Sequence, residues 1–222
     1  MLKVLVMMDL KSGLYSEKYS YSKEFDDKIY SYSKEILIYR MSFQDNYQLL
    51  DFDCVILPGG GKFSKDFPSG SLEVTNPKRY FFEKGFIDYC YINKIPILGI
   101  CRGYQMINES LGGKIDYIQE DIIKNNHINN KEHEVILDKN SFLFEIFKIN
   151  NLKVNSLHSK KIIQISPKLK ISAISKEDNI IEAFESLFEP KFFGLQWHPE
   201  LLKEHQKIFN YFFDYVLNLN KK

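Results

Sequence analysis

The sequence predicts an α/β fold: three layers, with a mainly parallel central sheet, flanking helices and a smaller antiparallel extension. Three features carry that expectation. Strand-length apolar runs bounded by Gly or Pro alternate with helix-period segments through the first half of the chain. The second half holds short β-type runs separated by turn residues, a pattern of antiparallel pairs. Finally, 222 residues with 44% hydrophobic and 27% charged make a globular composition. A chain of that length buries about 70% of its unfolded surface, enough for a core without staples.

Taken in order, residues 3–8 read as a strand and 25–33 as a helix. Residues 35–39 and then Cys54–Leu57 read as the next strands, the latter ending abruptly at Pro58, Gly59, Gly60 and Gly61. Phe82, Phe86, Ile87, Tyr89 and Cys90 recur at helical spacing and predict a helix over 79–91. Residues 95–100 form a compact apolar run that leads straight into a helix over 102–111, closed by Gly112 and Gly113. The Asn-rich stretch 121–131 reads as a polar loop. Residues 134–137, 153–156, 162–165, 170–175, 180–184 and 192–196 are the short β-type runs. Apolar pairs at Leu201/Leu202, Ile208/Phe209, Phe212/Phe213 and Val216/Leu217 predict an amphipathic closing helix over 200–219. No internal repeat or linker interrupts the chain, so residues 1–222 are expected to form one domain.

Lys plus Arg total 30 against 29 Asp plus Glu, a net charge of +1. That balance lacks the footprint of a nucleic-acid or anionic-membrane partner. Three cysteines at irregular spacing, Cys54, Cys90 and Cys101, do not make a disulfide framework and suit a reducing compartment. The opening apolar run is too short for a signal peptide, and no stretch reaches the roughly 20 apolar residues of a membrane span. A cytoplasmic protein is expected.

The most informative segment is Ile95-Pro-Ile-Leu-Gly99-Ile-Cys101-Arg102-Gly103-Tyr-Gln105. A strand runs into a helix with a cysteine at the turn and glycine two residues away on either side. This is the thiol counterpart of the nucleophile elbow, in which a sharp turn lifts the side chain out of the sheet and the helix N-terminus favours a thiolate. The alternative is a small buried hydrophobe at a strand end, which is the preferred reading for Cys54 and Cys90. An acyl-transfer nucleophile needs an oxyanion hole, and the glycine turn after Leu57 offers backbone N–H near Gly60 beside the N–H of Arg102. The same turn read alone is a tight loop. Gln196-Trp197-His198-Pro199-Glu200 supplies a base. Extended backbone before Pro199 puts His198 and Glu200 on one face, where the carboxylate can orient the imidazole. A surface histidine ahead of a helix is the bland alternative, and His-x-Glu without a third ligand is poor zinc spacing. His127, His133 and His205 carry no such context.

Taken together, these motifs resemble the class I glutamine amidotransferase-like proteins, and among them the γ-glutamyl hydrolase branch, peptidase family C26. The similarity runs from about residue 53 to 200 through CVILPGGG, PILGICRGYQMIN with LGG, VNSLHSK, DNIIEAFES and FGLQWHPE. The ordered set is specific. The resemblance implies a flavodoxin-like sheet, Cys101 as nucleophile, His198 as general base and acid, and Glu200 as its orienting partner. It implies oxyanion stabilisation at Gly60 and Arg102. It also implies that Gly59, Gln105, Asn155, Ser156, Leu157 and His158 hold the glutamyl moiety. Residues before 53 depart from the family pattern and leave the leaving-group side open.

The expected activity is cysteine-dependent hydrolysis of a γ-glutamyl amide through a glutamyl-thioester, with no metal or organic cofactor. Its substrates would be of aminobutyrate or polyamine type, or a nucleotide phosphoramidate or sugar intermediate of surface-polysaccharide synthesis. A glutaminase subunit serving a separate synthase is the first rival. A non-catalytic regulator on the same fold is the second. The aromatic content also permits a homodimer.

Overall fold

A computed structural model describes residues 1–12, 17–43, 45–60, 77–119 and 126–221. The first strands are β1 (Leu2–Met7), β2 (Asp9–Ser12), β3 (Glu17–Ser20), β4 (Ile36–Met41), β5 (Cys54–Leu57), β6 (Ile97–Ile100) and β7 (Lys114–Tyr117). They are followed by β8 (Lys131–Leu137), β9 (Asn151–Ser156), β10 (Lys160–Gln164), β11 (Leu169–Ser175), β12 (Ile181–Ser186) and β13 (Phe192–Leu195). The helices are α1 (Lys23–Tyr32), α2 (Pro77–Ile92), α3 (Arg102–Ser110), α4 (Phe142–Phe147) and α5 (Gln206–Leu219).

One sheet of nine strands runs β4-β1-β5-β6-β13-β12-β11-β8-β9. The first five are mutually parallel. Counted along that half, the order is second, first, third, fourth, fifth, the doubly wound arrangement in which ligands sit where the order reverses. That reversal lies between β1 and β5, whose carboxyl ends lead into Asp9 and Pro58. The other four strands are antiparallel. The antiparallel extension, four strands against five, is therefore continuous with the parallel half, as the expectation of a smaller extension had it. Strands β7 and β10 pair outside this sheet, as do β2 and β3.

Period-2 alternation builds two cores. Val4, Val6, Ile56, Leu98 and Ile100 face one side, against Phe25 and Ile29 of α1, Phe142 of α4, and Phe209 and Phe213 of α5. Leu5, Met7, Val55, Leu57 and Ile97 face the other, against Phe86 and Ile87 of α2 and Tyr104 and Ile107 of α3. Both faces of the inner strands β1, β5, β6 and β13 are buried, which is why these strands read as apolar runs, whereas the edge strand β4 is partly exposed. Helix α3 lies so close to β5 that a Cβ on Gly103 would fall 2.1 Å from the Leu57 carbonyl oxygen. Only glycine permits that approach.

Several boundaries differ from the sequence reading. The closing helix begins at Gln206, because Pro199–Leu201 and Lys203–His205 form separate 3-10 turns. Lys131 opens β8, while residues 121–125 of the Asn-rich stretch lie outside the described residues, as does Gly61. Helix α4 went unpredicted, although Ser141 caps it by accepting from the Phe144 N–H at 3.2 Å. The β2–β3 hairpin and β7 were also missed. They are short and polar, and pairing rather than hydrophobic pattern defines them. Among the described residues no helix is long and apolar enough to cross a membrane.

Candidate active site

Cys101 stands between β6 and α3 with φ 51° and ψ −100°, a conformation non-glycine residues avoid. Its N–H is held by the Leu195 carbonyl at 2.7 Å and its carbonyl accepts from Gln105 N–H at 3.1 Å, so neighbouring elements over-determine the turn. The strain aims the side chain out of the sheet at the N-terminus of α3, where the first N–H groups lack helical partners. Arg102 N–H is the first of these. Cys101 itself is only 6% exposed. Cys54 and Cys90 are fully buried within β5 and α2, and burial pushes both thiols up, as the sequence led one to expect.

His198 follows β13 as the residue before the 3-10 turn Pro199–Leu201, which holds Glu200, so this turn rather than extended backbone brings its Nδ1 to 2.7 Å from Oε1 of Glu200. Cys101 and the His198 ring lie together beneath Gly59, close enough for the sulfur to act on the imidazole electrostatically. Burial alone would lower the His198 pKa. Its contacts with Cys101 and Glu200 outweigh that and raise it to about 10. The three side chains thus form one connected set: sulfur, imidazole, carboxylate.

The glycine turn after β5 closes over this pair. A Cβ on Gly59 would lie 2.7 Å from His198 Cε1 and 3.1 Å from Cys101 Cβ. Gly60 packs beside Asp9. A cleft of about 500 Å³ opens from there and is bordered by Asp9, Tyr21, Phe25, Gly60, Leu157 and His198. It lies at the reversal point of the strand order, between β1 and β5. Its far wall comes from β3 and α1, the part of the chain that departs from the family pattern.

The remaining expected substrate residues divide by face. Asn155 is buried, and its Oδ1 accepts from the His198 backbone N–H at 3.1 Å while its Nδ2 donates to Asn130 Oδ1. Leu157 borders the cleft. Ser156 and His158 alternate to the opposite side, where Ser156 Oγ and His158 Nε2 lie against His127. Gln105 is 2% exposed and donates to Gln196 Oε1 at 2.9 Å. Residue alternation in extended backbone explains the split. Sequence reasoning missed the support behind Arg102. Its Nε donates to Glu83 Oε2 at 2.9 Å, and Glu83 Oε1 accepts from Arg79 Nε at 2.6 Å. Arg79 in turn pairs with Asp9. Helical spacing of Arg79 and Glu83 was the available signal. His205 is buried beside Trp197, whose Nε1 donates to its Nδ1 at 3.1 Å, rather than lying on a helix face.

A glutamine amidotransferase from Thermotoga maritima superposes with a TM-score of 0.64 at 18% identity, covering 99% of this chain and 84% of that one. The architecture is therefore that of the class I glutamine amidotransferases. Residues 36–200 match the family Peptidase C26. Protein NtpR of Enterococcus hirae is 31% identical over 178 residues, 74% of each chain. The γ-glutamyl-CDP-amidate hydrolase of Campylobacter jejuni is 36% identical over 146 residues, 66% of this chain and 61% of that one. The chain belongs to the peptidase C26 family and is a glutamine amidotransferase-like hydrolase of amide bonds.

Proposed function

We propose that this protein hydrolyses a substituted γ-glutamyl amide through a γ-glutamyl-thioester on Cys101. The carrying observation is the connected set at the elbow: Cys101 against His198, and His198 against Glu200 at 2.7 Å. Sulfur attacks the γ-carbonyl carbon, and the oxygen becomes an oxyanion that backbone N–H at Arg102 and Gly60 receives. As the tetrahedral intermediate collapses, the C–N bond breaks and His198 gives its proton to the departing amine. Water, deprotonated by His198, then attacks the thioester. Glutamate leaves and the thiolate is restored. Glu200 holds the imidazole in orientation throughout. No step draws on a metal or organic cofactor.

The amine side is read from the cleft. About 500 Å³ lies in the range of small-molecule sites and far exceeds what ammonia needs. This supports a substituted amide over glutamine. The similarity to a γ-glutamyl-CDP-amidate hydrolase supports the phosphoramidate type among the candidates already expected, beside the aminobutyrate, polyamine and sugar types.

The test measures glutamate release by the isolated protein from glutamine and from γ-glutamyl conjugates of aminobutyrate, polyamine, amino-sugar and phosphoramidate types. A conjugate should exceed glutamine in kcat/KM, and analogues lacking the α-amino or α-carboxylate group should lose at least ~100-fold. Turnover of glutamine alone, or only after a second protein is added, would replace this reading with that of a synthase subunit.

A further inference from the structure

Behind the segment that carries Asn155 and Leu157 lies a second cluster that the proposed reaction does not use. His127, His133, His158 and Glu182 are all buried, Glu182 completely. They come from the turn before β8, from β8 itself, from the residues after β9 and from β12. The rings of His133 and His158 each lie 4.7 Å, centroid to centroid, from that of His127. Glu182 Oε1 lies 3.4 Å from His127 Nδ1, 3.4 Å from His158 Nε2 and 3.7 Å from His133 Nε2.

The hydrogen bonds around the cluster determine what its atoms can offer. Nε2 of His127 is 2.8 Å from Asp178 Oδ2, and Nδ1 of His158 is 3.0 Å from the Lys160 carbonyl oxygen. Each of those nitrogens faces an acceptor and must carry the proton. In the neutral rings, His127 Nδ1 and His158 Nε2 are then lone pairs, and they face each other at 3.2 Å. With Glu182 Oε1 they make a triangle of acceptors with sides of 3.2, 3.4 and 3.4 Å. Ser156 Oγ is 3.1 Å from His127 Nδ1, but it is equally 3.1 Å from the His127 carbonyl and has one proton to give. Among the described residues neither Glu182 oxygen and neither His133 nitrogen has a hydrogen-bond partner. Converging buried acceptors without donors are costly, and a cation at their centre satisfies them.

We propose that His127, His133, His158 and Glu182 together bind one Zn²⁺ ion. A tetrahedral zinc with nitrogen and oxygen ligands at about 2.0–2.1 Å spaces them about 3.3–3.4 Å apart. The triangle has those dimensions, and the ligand atoms of His127, His133 and Glu182 all lie within 4.8 Å of one another. Imidazoles with a carboxylate and no thiolate suit zinc among the divalent metals. Asp178 and the Lys160 carbonyl hold their histidines as outer partners of metal ligands do, fixing ring and tautomer. The site is closed, so the ion is structural. It would tie β8, β12 and the turn at His127 to His158, three residues beyond the asparagine that holds His198. The inference is independent of the substrate.

The experiment uses the full chain, stripped with a chelator, dialysed and then titrated with Zn²⁺ alone. Elemental analysis should find one zinc per chain. At zinc 100-fold above its Kd, Tm should rise by roughly 5–10 °C. Co²⁺ in place of zinc should give the intense visible bands of a four-coordinate site. Glu182→Gln and His133→Ala should each bind zinc at least 10-fold more weakly. If the wild-type chain retains less than about 0.1 zinc per chain under conditions that saturate a closed site, or shows no Tm shift, the proposal is overturned and protons alone hold the cluster together. Wild-type stoichiometry decides this even if a variant fails to fold.

Discussion

Oδ1 of Asn155 accepts a hydrogen bond from the backbone N–H of His198 at 3.1 Å. Asparagine at this position therefore acts on the imidazole through its backbone. Removing it frees the residue that must both donate and take a proton.

Asn155→Ala should lower kcat by about 10- to 100-fold while KM changes little. A contact to the glutamyl group would instead raise KM with kcat preserved. Steady-state kinetics on one good conjugate separates the two roles.

Cys101 should be the one cysteine on which turnover depends. Cys101→Ala should lose several orders of magnitude, whereas Cys54→Ala and Cys90→Ala should act only on stability. Retention of more than about a tenth of wild-type activity in Cys101→Ala, a cost below roughly 1.4 kcal/mol, would sink the nucleophile assignment.

The pH profile follows from His198, whose pKa is raised to about 10 by Cys101 and Glu200 against the effect of burial. A raised folded-state value means that its stabilising contribution is fully present below about pH 6.5 and is lost as pH rises through about 10. The proton-donating form is lost in the same window, so the alkaline limb of kcat/KM should lie near pH 10. Glu200→Gln removes one of the raising contacts and should move that limb toward neutrality in a slowed but measurable enzyme. His198→Asn should be nearly inactive. An alkaline limb that stays in place in Glu200→Gln would mean that the carboxylate does not tune the imidazole.

Gly59→Ala probes the roof of the site. The added methyl would fall 2.7 Å from His198 Cε1. Displacing the ring by a fraction of an ångström should cost about 100-fold in kcat/KM. Circular dichroism and Tm should remain close to wild type, since the turn lies outside both cores. An active Gly59→Ala enzyme would show that His198 moves freely in this space.

What the residues determined by themselves is local. The inner parallel strands were legible because both faces are buried and the run is apolar, as in Val55, Ile56 and Leu57. The elbow was legible because Gly99, Cys101 and Gly103 leave the chain one way to turn. His198 and Glu200 were legible because they lie two apart around Pro199, although a 3-10 turn rather than extended backbone brings them together. The tertiary structure alone decided which way each side chain of residues 154–158 faces, since that depends on the register of β9 against β8. It alone joined the antiparallel strands to the parallel sheet, and it gathered His127, His133, His158 and Glu182. Those four lie on separate elements, and their proximity comes from strand order, a property no local spacing encodes.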